Sequence, residues 1–187
     1  MPRTRGLTIA IAGAPGSGKS TLARELAARL NSVASSFGEY VRYLAAAAGE
    51  DTERQSLQHF GQRLVEADTE AFVDSFLKWA FPSTGDALVI DGVRHVAVDK
   101  ALRMRSAASG HDYFLILLET SFADRAKRRP ETVEAELLKL EDHPVEREAV
   151  TALPQVADII VDGSGDQADV LSRIALAAPK RLASFLA

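Results

Sequence analysis

Gly13-Ala14-Pro15-Gly16-Ser17-Gly18-Lys19-Ser20-Thr21 fits the phosphate-binding pattern GxxxxGK(S/T), and the residues on either side fit the same local structure. Upstream, Leu7-Thr8-Ile9-Ala10-Ile11-Ala12 is a short apolar run rich in β-branched residues, the composition of a buried strand. Downstream, Leu22, Leu26 and Leu30 recur at helical spacing among alanines, with no glycine or proline between Thr21 and Leu30. A strand that enters a glycine loop and leaves as a helix aims several backbone N–H groups, and the positive end of the helix dipole, at one point. Such a point suits a polyphosphate. Gly13, Gly16, Ser17, Gly18, Lys19, Ser20 and Thr21 are therefore the candidate phosphate-binding residues. Lys19 is expected over the β- and γ-phosphates, and the Ser20 hydroxyl on Mg²⁺.

The chain of 187 residues is long enough for one domain with a proper core, and its 47% apolar and 26% charged composition is that of a soluble globular protein. A net charge of −4 carries no overall signature of nucleic-acid or anionic-membrane binding. With no cysteine, disulfides, thiolate metal sites and cysteine nucleophiles are excluded. Met1-Pro2-Arg3-Thr4-Arg5 runs into the first strand without the apolar segment of a secretory signal, and no apolar run reaches the length of a membrane span. The expectation is a cytoplasmic protein, monomer or homodimer, with a small-molecule partner.

Four further apolar runs follow the first: Val33 to Phe37, Ala87 to Asp91, Tyr113 to Leu118 and Asp158 to Val161. Near-continuous rather than alternating apolar character predicts strands buried on both faces, hence a parallel sheet between helical layers. Helical patterns lie between the runs, over Ser20–Leu30, Tyr40–Ala48, Glu53–Ala80, Val98–Ser109, Phe122–Arg129, Thr132–Glu141 and Gln167–Ala177. In the longest, Leu57, Phe60, Leu64, Phe72, Phe76 and Trp79 form one apolar stripe that reads as core packing. The alternation predicts an open, doubly wound α/β domain. Two helices between strands two and three exceed a minimal crossover and predict a small helical subdomain over about 38–82. Pro82, Ser83, Gly85 and Asp86 read as the turn into the third strand.

In an open parallel sheet, ligands collect beyond the carboxyl ends of the strands. Those ends carry the loop, then Gly38-Glu39-Tyr40-Val41-Arg42, Asp91-Gly92-Val93-Arg94, Glu119-Thr120-Ser121 with the cluster Arg125, Lys127, Arg128 and Arg129, and Asp162-Gly163-Ser164-Gly165. Asp91 closes an apolar run where a carboxylate would bind Mg²⁺ through water or orient Ser20. Arg94 offers a two-pronged grip on an acceptor phosphate, and Arg42 is the cation after the second strand. Arg125 and Arg129 are candidates for the charge that meets a transferring phosphoryl group, since positioned positive charge supplies most catalysis of that transfer. Glu39 stands where a base would deprotonate a hydroxyl acceptor, and equally where it would hold Arg42 or a ribose hydroxyl. His59, His95, His111 and His143 are scattered without ligand spacing.

Taken together, these strand ends resemble the nucleotide-kinase branch of the P-loop fold, which includes adenylate, cytidylate and dephospho-coenzyme A kinases. Gly38-Glu39-Tyr40-Val41-Arg42 is similar to the GDxxR element that holds a nucleoside monophosphate, with Glu in place of Asp. Asp91-Gly92-Val93-Arg94 is similar to DGxPR, shortened by one residue, and closer to the DGxR form of adenylate-kinase-like proteins. Thr120 to Arg129 looks like a helix delivering lid arginines, and Ala157 to Asp162 resembles the ADxVIDN strand. Arg54-Gln55-Ser56-Leu57-Gln58 with Gly61 resembles the RxxLQxxG element of phage deoxynucleoside monophosphate kinases. The resemblance implies a single P-loop NTPase domain over 1–187, a five-stranded parallel sheet in order 2-3-1-4-5 and a short lid over about 125–145. It also implies ATP with Mg²⁺ as donor and transfer to a small acceptor. Three activities stay open: a nucleoside or deoxynucleoside monophosphate kinase, a kinase of a small-molecule hydroxyl with Glu39 as base, and a regulatory ATP-binding protein or slow ATPase.

Overall fold

The computed structural model describes residues 5–81, 86–128, 148, 151–180 and 182–183. Strand β1 (Gly6–Gly13) pairs in parallel with β3 (Ala87–Asp91) on one side and β4 (His111–Glu119) on the other. β2 (Ala34–Ser36) adds beyond β3, and β5 (Ile159–Asp162) beyond β4, giving five parallel strands in order β2-β3-β1-β4-β5. This is the order that the resemblance implied.

The two faces of β1 explain its continuous apolar run. Leu7, Ile9 and Ile11 pack with Leu22 and Leu26 of α1 (Lys19–Arg29) and Val170 and Ile174 of α7 (Gln167–Ala177). Ala10 and Ala12 face the opposite layer, where α2 (Phe37–Ala48) and α5 (Val96–Ala108) bring Phe37, Tyr40 and Leu102. The small side chains on that second face leave room for a thicker helical layer.

That layer holds three helices between β2 and β3 rather than the expected two. The pattern over Glu53–Ala80 divides into α3 (Arg54–Ala67) and α4 (Thr69–Ala80). Asp68 breaks it: its backbone is extended, at φ −163° and ψ 96°, and its carboxylate accepts from Ala71 N at 2.9 Å, capping α4. The apolar stripe runs across the break because one extended residue turns the chain while leaving both helices packed on the same core. β2 is shorter than expected for a related reason, since Ser36 caps α2 by accepting from Gly38 N at 3.1 Å and Phe37 already lies in the helix. α6 (Phe122–Lys127) ends before Arg129. The helix expected over 132–141, the turn at 82–85 and most of the lid expected over 125–145 lie outside the described residues.

Candidate functional site

The loop between β1 and α1 depends on its glycines. Gly13, Gly16 and Gly18 have φ of 144°, 81° and 98°, values that L side chains resist. At Gly13 a Cβ would also lie 2.6 Å from Leu118 O and 2.9 Å from Ser17 Oγ, so the loop turns against β4 with no room for a side chain. Ser17 N closes the turn on Ala14 O at 3.2 Å. Lys19 folds back along the loop, its Nζ donating to Ala14 O at 2.7 Å. Thr21, which the sequence groups with the loop, opens onto a second cavity described below.

Asp91 and Ser20 meet across the sheet. Register places Asp91 opposite Ile11, so its side chain reaches the first turn of α1. There the Ser20 hydroxyl donates to Asp91 Oδ2 at 2.6 Å. Asp91 is 6% exposed, and its Oδ1 is buried with no hydrogen-bond partner. A buried carboxylate oxygen without a partner is costly unless something polar reaches it. A hydrated Mg²⁺ beside Ser20 fits that atom. Among the described residues no group of three acidic, histidine or cysteine side chains could hold a metal ion by itself.

Two arginines of the 125–129 cluster brace the loop from the β4 side. Arg125 is 6% exposed, with Nε donating to Thr120 O at 3.0 Å, Nη1 to Pro15 O at 3.3 Å and the guanidinium 5.4 Å from the Phe122 ring. It lies beneath the loop, a different position from the helix end facing a phosphoryl group that the sequence suggested. Burial is why: once the guanidinium is desolvated, it needs the carbonyls that the loop supplies. Arg128 donates to Ser17 O at 2.9 Å, Gly163 O at 2.7 Å and Gly165 O at 3.2 Å, tying the loop to the turn after β5. That turn comes so close that a Cβ on Gly163 would clash with Thr120 Oγ1 and lie 3.2 Å from Ser17 O. Asp162 shapes it by accepting from Ser164 N and Ser164 Oγ, at 2.8 and 2.7 Å. These two bonds hold its carboxyl below the usual carboxylate range. Between loop, Arg128 and turn lies a cavity of about 180 Å³ lined by Gly18, Thr21, Leu118, Gly163 and Gln167 among others. Arg129 lies outside the described residues.

On the other side of the loop, beyond β3, a cavity of about 300 Å³ opens between α2, α3 and the start of α5. Arg42, Arg54 and Arg94 line it, and Phe37, Leu57 and Phe72 are among its apolar walls. Gln58, only 7% exposed, brings an amide to the same space, and His95 an imidazole. Among the described lining residues there is no carboxylate. Glu39 is exposed in the first turn of α2 and is not one of the walls. Arg42 and Arg94 thus line one cavity. Arg54, Gln58 and His95 join them without having been selected as site residues. The first two belong to the Arg54–Gly61 element, whose spacing held the signal. His95 had no signal beyond its place after Arg94.

The AAA domain family matches residues 9–147 of this chain. Among curated proteins, no sequence matches it. Solved structures similar to it include a gluconokinase from Sinorhizobium meliloti 1021, at 15% identity and TM-score 0.58, covering 98% of this chain and 93% of that one. A shikimate kinase from Aquifex aeolicus VF5 is similar at 19% identity and TM-score 0.58, covering 91% and 95%. TT1252 from Thermus thermophilus is similar at 16% identity and TM-score 0.61, covering 97% and 98%. At these identities the likeness is one of fold. No helix among the described residues is long and apolar enough to cross a membrane.

Proposed function

This chain belongs to the AAA domain family, and from that premise we propose that it is an ATP- and Mg²⁺-dependent phosphotransferase whose acceptor is a nucleoside or deoxynucleoside monophosphate. The observation that carries the reading is the cavity beyond β3, where three guanidiniums, Arg42, Arg54 and Arg94, share walls with Phe37 and Phe72. Guanidiniums grip phosphate oxygens in pairs, and flat apolar walls suit a base. A phosphate acceptor is already an anionic nucleophile and needs no general base. The lack of a carboxylate among the described walls, with Glu39 outside them, supports a phosphate over a hydroxyl acceptor. The kinase activities named for the gluconokinase and shikimate kinase neighbours support the reaction class.

In this reading Lys19 leaves Ala14 O for the β- and γ-phosphates, since a charged oxygen is the stronger acceptor. Ser20 and Asp91 hold Mg²⁺, which when bound draws charge from the phosphate oxygens. Arg125 and Arg128 keep the loop's N–H groups aimed at the donor by fixing the carbonyls of Pro15 and Ser17. Arg129 is the proposed cation for the transition state. Cytoplasmic location belongs to the same reading.

The test is ADP release from ATP and Mg²⁺, coupled to a spectroscopic readout, across ribo- and deoxynucleoside monophosphates, nucleosides and sugar acids. A monophosphate that raises turnover well above the water background supports the reading. Stimulation by a nucleoside or a sugar acid alone refutes the acceptor class, and stimulated turnover that survives Lys19→Ala refutes the donor site.

A further inference from the structure

His95 lines the acceptor cavity and is also the N-cap residue of α5, although its ring makes no cap bond to that helix. The cap comes from elsewhere in the chain. Glu148 places Oε1 on Val96 N at 2.8 Å and Oε2 on His95 Nδ1 at 2.9 Å. One carboxylate thus satisfies an open N–H at the positive end of the helix and holds the imidazole beside it. His95 is 15% exposed at its side chain and Glu148 36%.

A carboxylate only accepts, so the proton of this hydrogen bond belongs to Nδ1, and in the neutral ring Nε2 keeps its lone pair. Nε2 makes no further hydrogen bond among the described residues. Glu148 is the charged group bonded to the ring, and Arg42 from α2, Arg54 from α3 and Arg94, next to it in the chain, line the same cavity. The bond to Glu148 fixes the tautomer of the ring. The cavity therefore contains donors for phosphate and, at His95, an acceptor for an N–H or O–H.

We propose that His95 contacts the acceptor through Nε2, accepting a hydrogen bond from an amino or hydroxyl group of its nucleoside part, and that Glu148 is the positioning residue that sets the tautomer and anchors the first turn of α5. The contact rests on the monophosphate reading above; the part played by Glu148 does not. No proton is transferred, so the contact selects among acceptors rather than driving chemistry.

Two measurements on the ¹⁵N-labelled full chain decide it. First, imidazole ¹⁵N–¹H correlation spectra of the free protein should show His95 as the Nδ1–H tautomer, and Glu148→Gln should shift the tautomer populations. An unchanged tautomer in that variant overturns the positioning role. Second, titration with each nucleoside monophosphate should move the Nε2 resonance, whereas inorganic phosphate, held by the arginines, should leave it in place. Binding is followed independently by the single tryptophan, Trp79, which contacts Tyr40 at 5.2 Å and joins the cavity wall through Phe76 and Phe37. A monophosphate that binds without moving Nε2 overturns the contact and leaves the kinase reading intact; failure of every monophosphate to bind ends both. In turnover, His95→Asn and Glu148→Gln should each raise acceptor KM about 2- to 10-fold, the worth of one neutral hydrogen bond, with smaller changes in kcat. The double variant should be no worse than His95→Asn, and Glu148→Asp should restore part of the loss. A Glu148→Gln protein with lowered stability and unchanged KM has lost only a helix cap, which refutes the proposal.

Discussion

Asp91→Asn should move stability and activity in opposite directions. Asp91 Oδ2 takes the Ser20 hydroxyl at 2.6 Å, while Oδ1 is buried and unpartnered. Leaving a buried polar atom unsatisfied costs about 1–3 kcal/mol, and more for a charged one. Asparagine keeps an oxygen for Ser20 and puts a neutral amide where the orphan oxygen lies. The ligand-free variant is therefore expected to gain about 1 kcal/mol, the difference between the two penalties. For a chain of this length that raises Tm by roughly 2–4 °C. Ligand linkage reverses the order. A nucleotide at a hundred times its Kd stabilises by about 2.7 kcal/mol, and the part that depends on Mg²⁺ should disappear in the variant. The assay is thermal melting of both proteins alone, with ADP and EDTA, and with ADP and Mg²⁺. Wild type should rise between the last two conditions and the variant should not. Turnover should fall by about 10²- to 10³-fold, the effect of losing one preorganised electrostatic contact. A variant that melts below wild type when ligand-free, and keeps the Mg²⁺ increment, refutes the assignment of Oδ1 to the metal site.

Gly163→Ala forces a methyl group against Thr120 Oγ1 and Ser17 O; urea titration should show a loss of about 1–3 kcal/mol, and a neutral result would mean that the turn after β5 is free to move from the loop. Arg94→Ala and Arg42→Ala should each raise acceptor KM about 10- to 100-fold, as a lost charge-assisted hydrogen bond does, with ATP KM steady in initial-rate kinetics; equal rises in both constants would remove them from the acceptor side. Ser164→Ala removes the main group holding Asp162 below its usual range. A depressed folded-state value stabilises above the unfolded carboxylate value near 3.9, and that stabilisation is lost as pH falls through the folded value. Acid unfolding should therefore show wild type and Ser164→Ala converging at low pH and separating above it; a constant gap across the range would contradict the sign.

The sheet was legible because the inner strands β1, β3 and β4 carry buried apolar residues on both faces, leaving continuous apolar runs that need no partner to be recognised, whereas the edge strand β5 alternates buried and exposed residues. The loop was legible because backbone geometry demands its residues one by one. The break at Asp68 was not, since the stripe from Leu57 to Phe76 keeps its helical spacing across it. A single capping carboxylate decides the matter, and the period does not register it. Arg125 shows the limit for charge. The sequence places a cation at a helix end, but whether it faces solvent or the underside of the loop depends on the carbonyl of Pro15, 110 residues away. The same holds for His95 and Glu148, which are 53 residues apart and share no spacing that a helix or strand would impose. Arg54 and Gln58 sit between these extremes, since a helix starting at Arg54 brings both to one face, but only the packing of α3 on α2 turns that face toward a cavity.

β1 at the centre of the sheet separates the two cavities in sequence as well as in space. Every described wall of the larger cavity comes from one uninterrupted stretch, residues 37 to 98. The smaller cavity is assembled from two distant pieces, residues 17 to 22 and 118 to 170. A change confined to the first stretch leaves both pieces of the smaller cavity intact, although Asp91, the partner of Ser20, lies within that stretch. If the larger cavity receives the acceptor as proposed, exchanging that one contiguous segment with Asp91 retained is the shortest route to changing what the protein accepts.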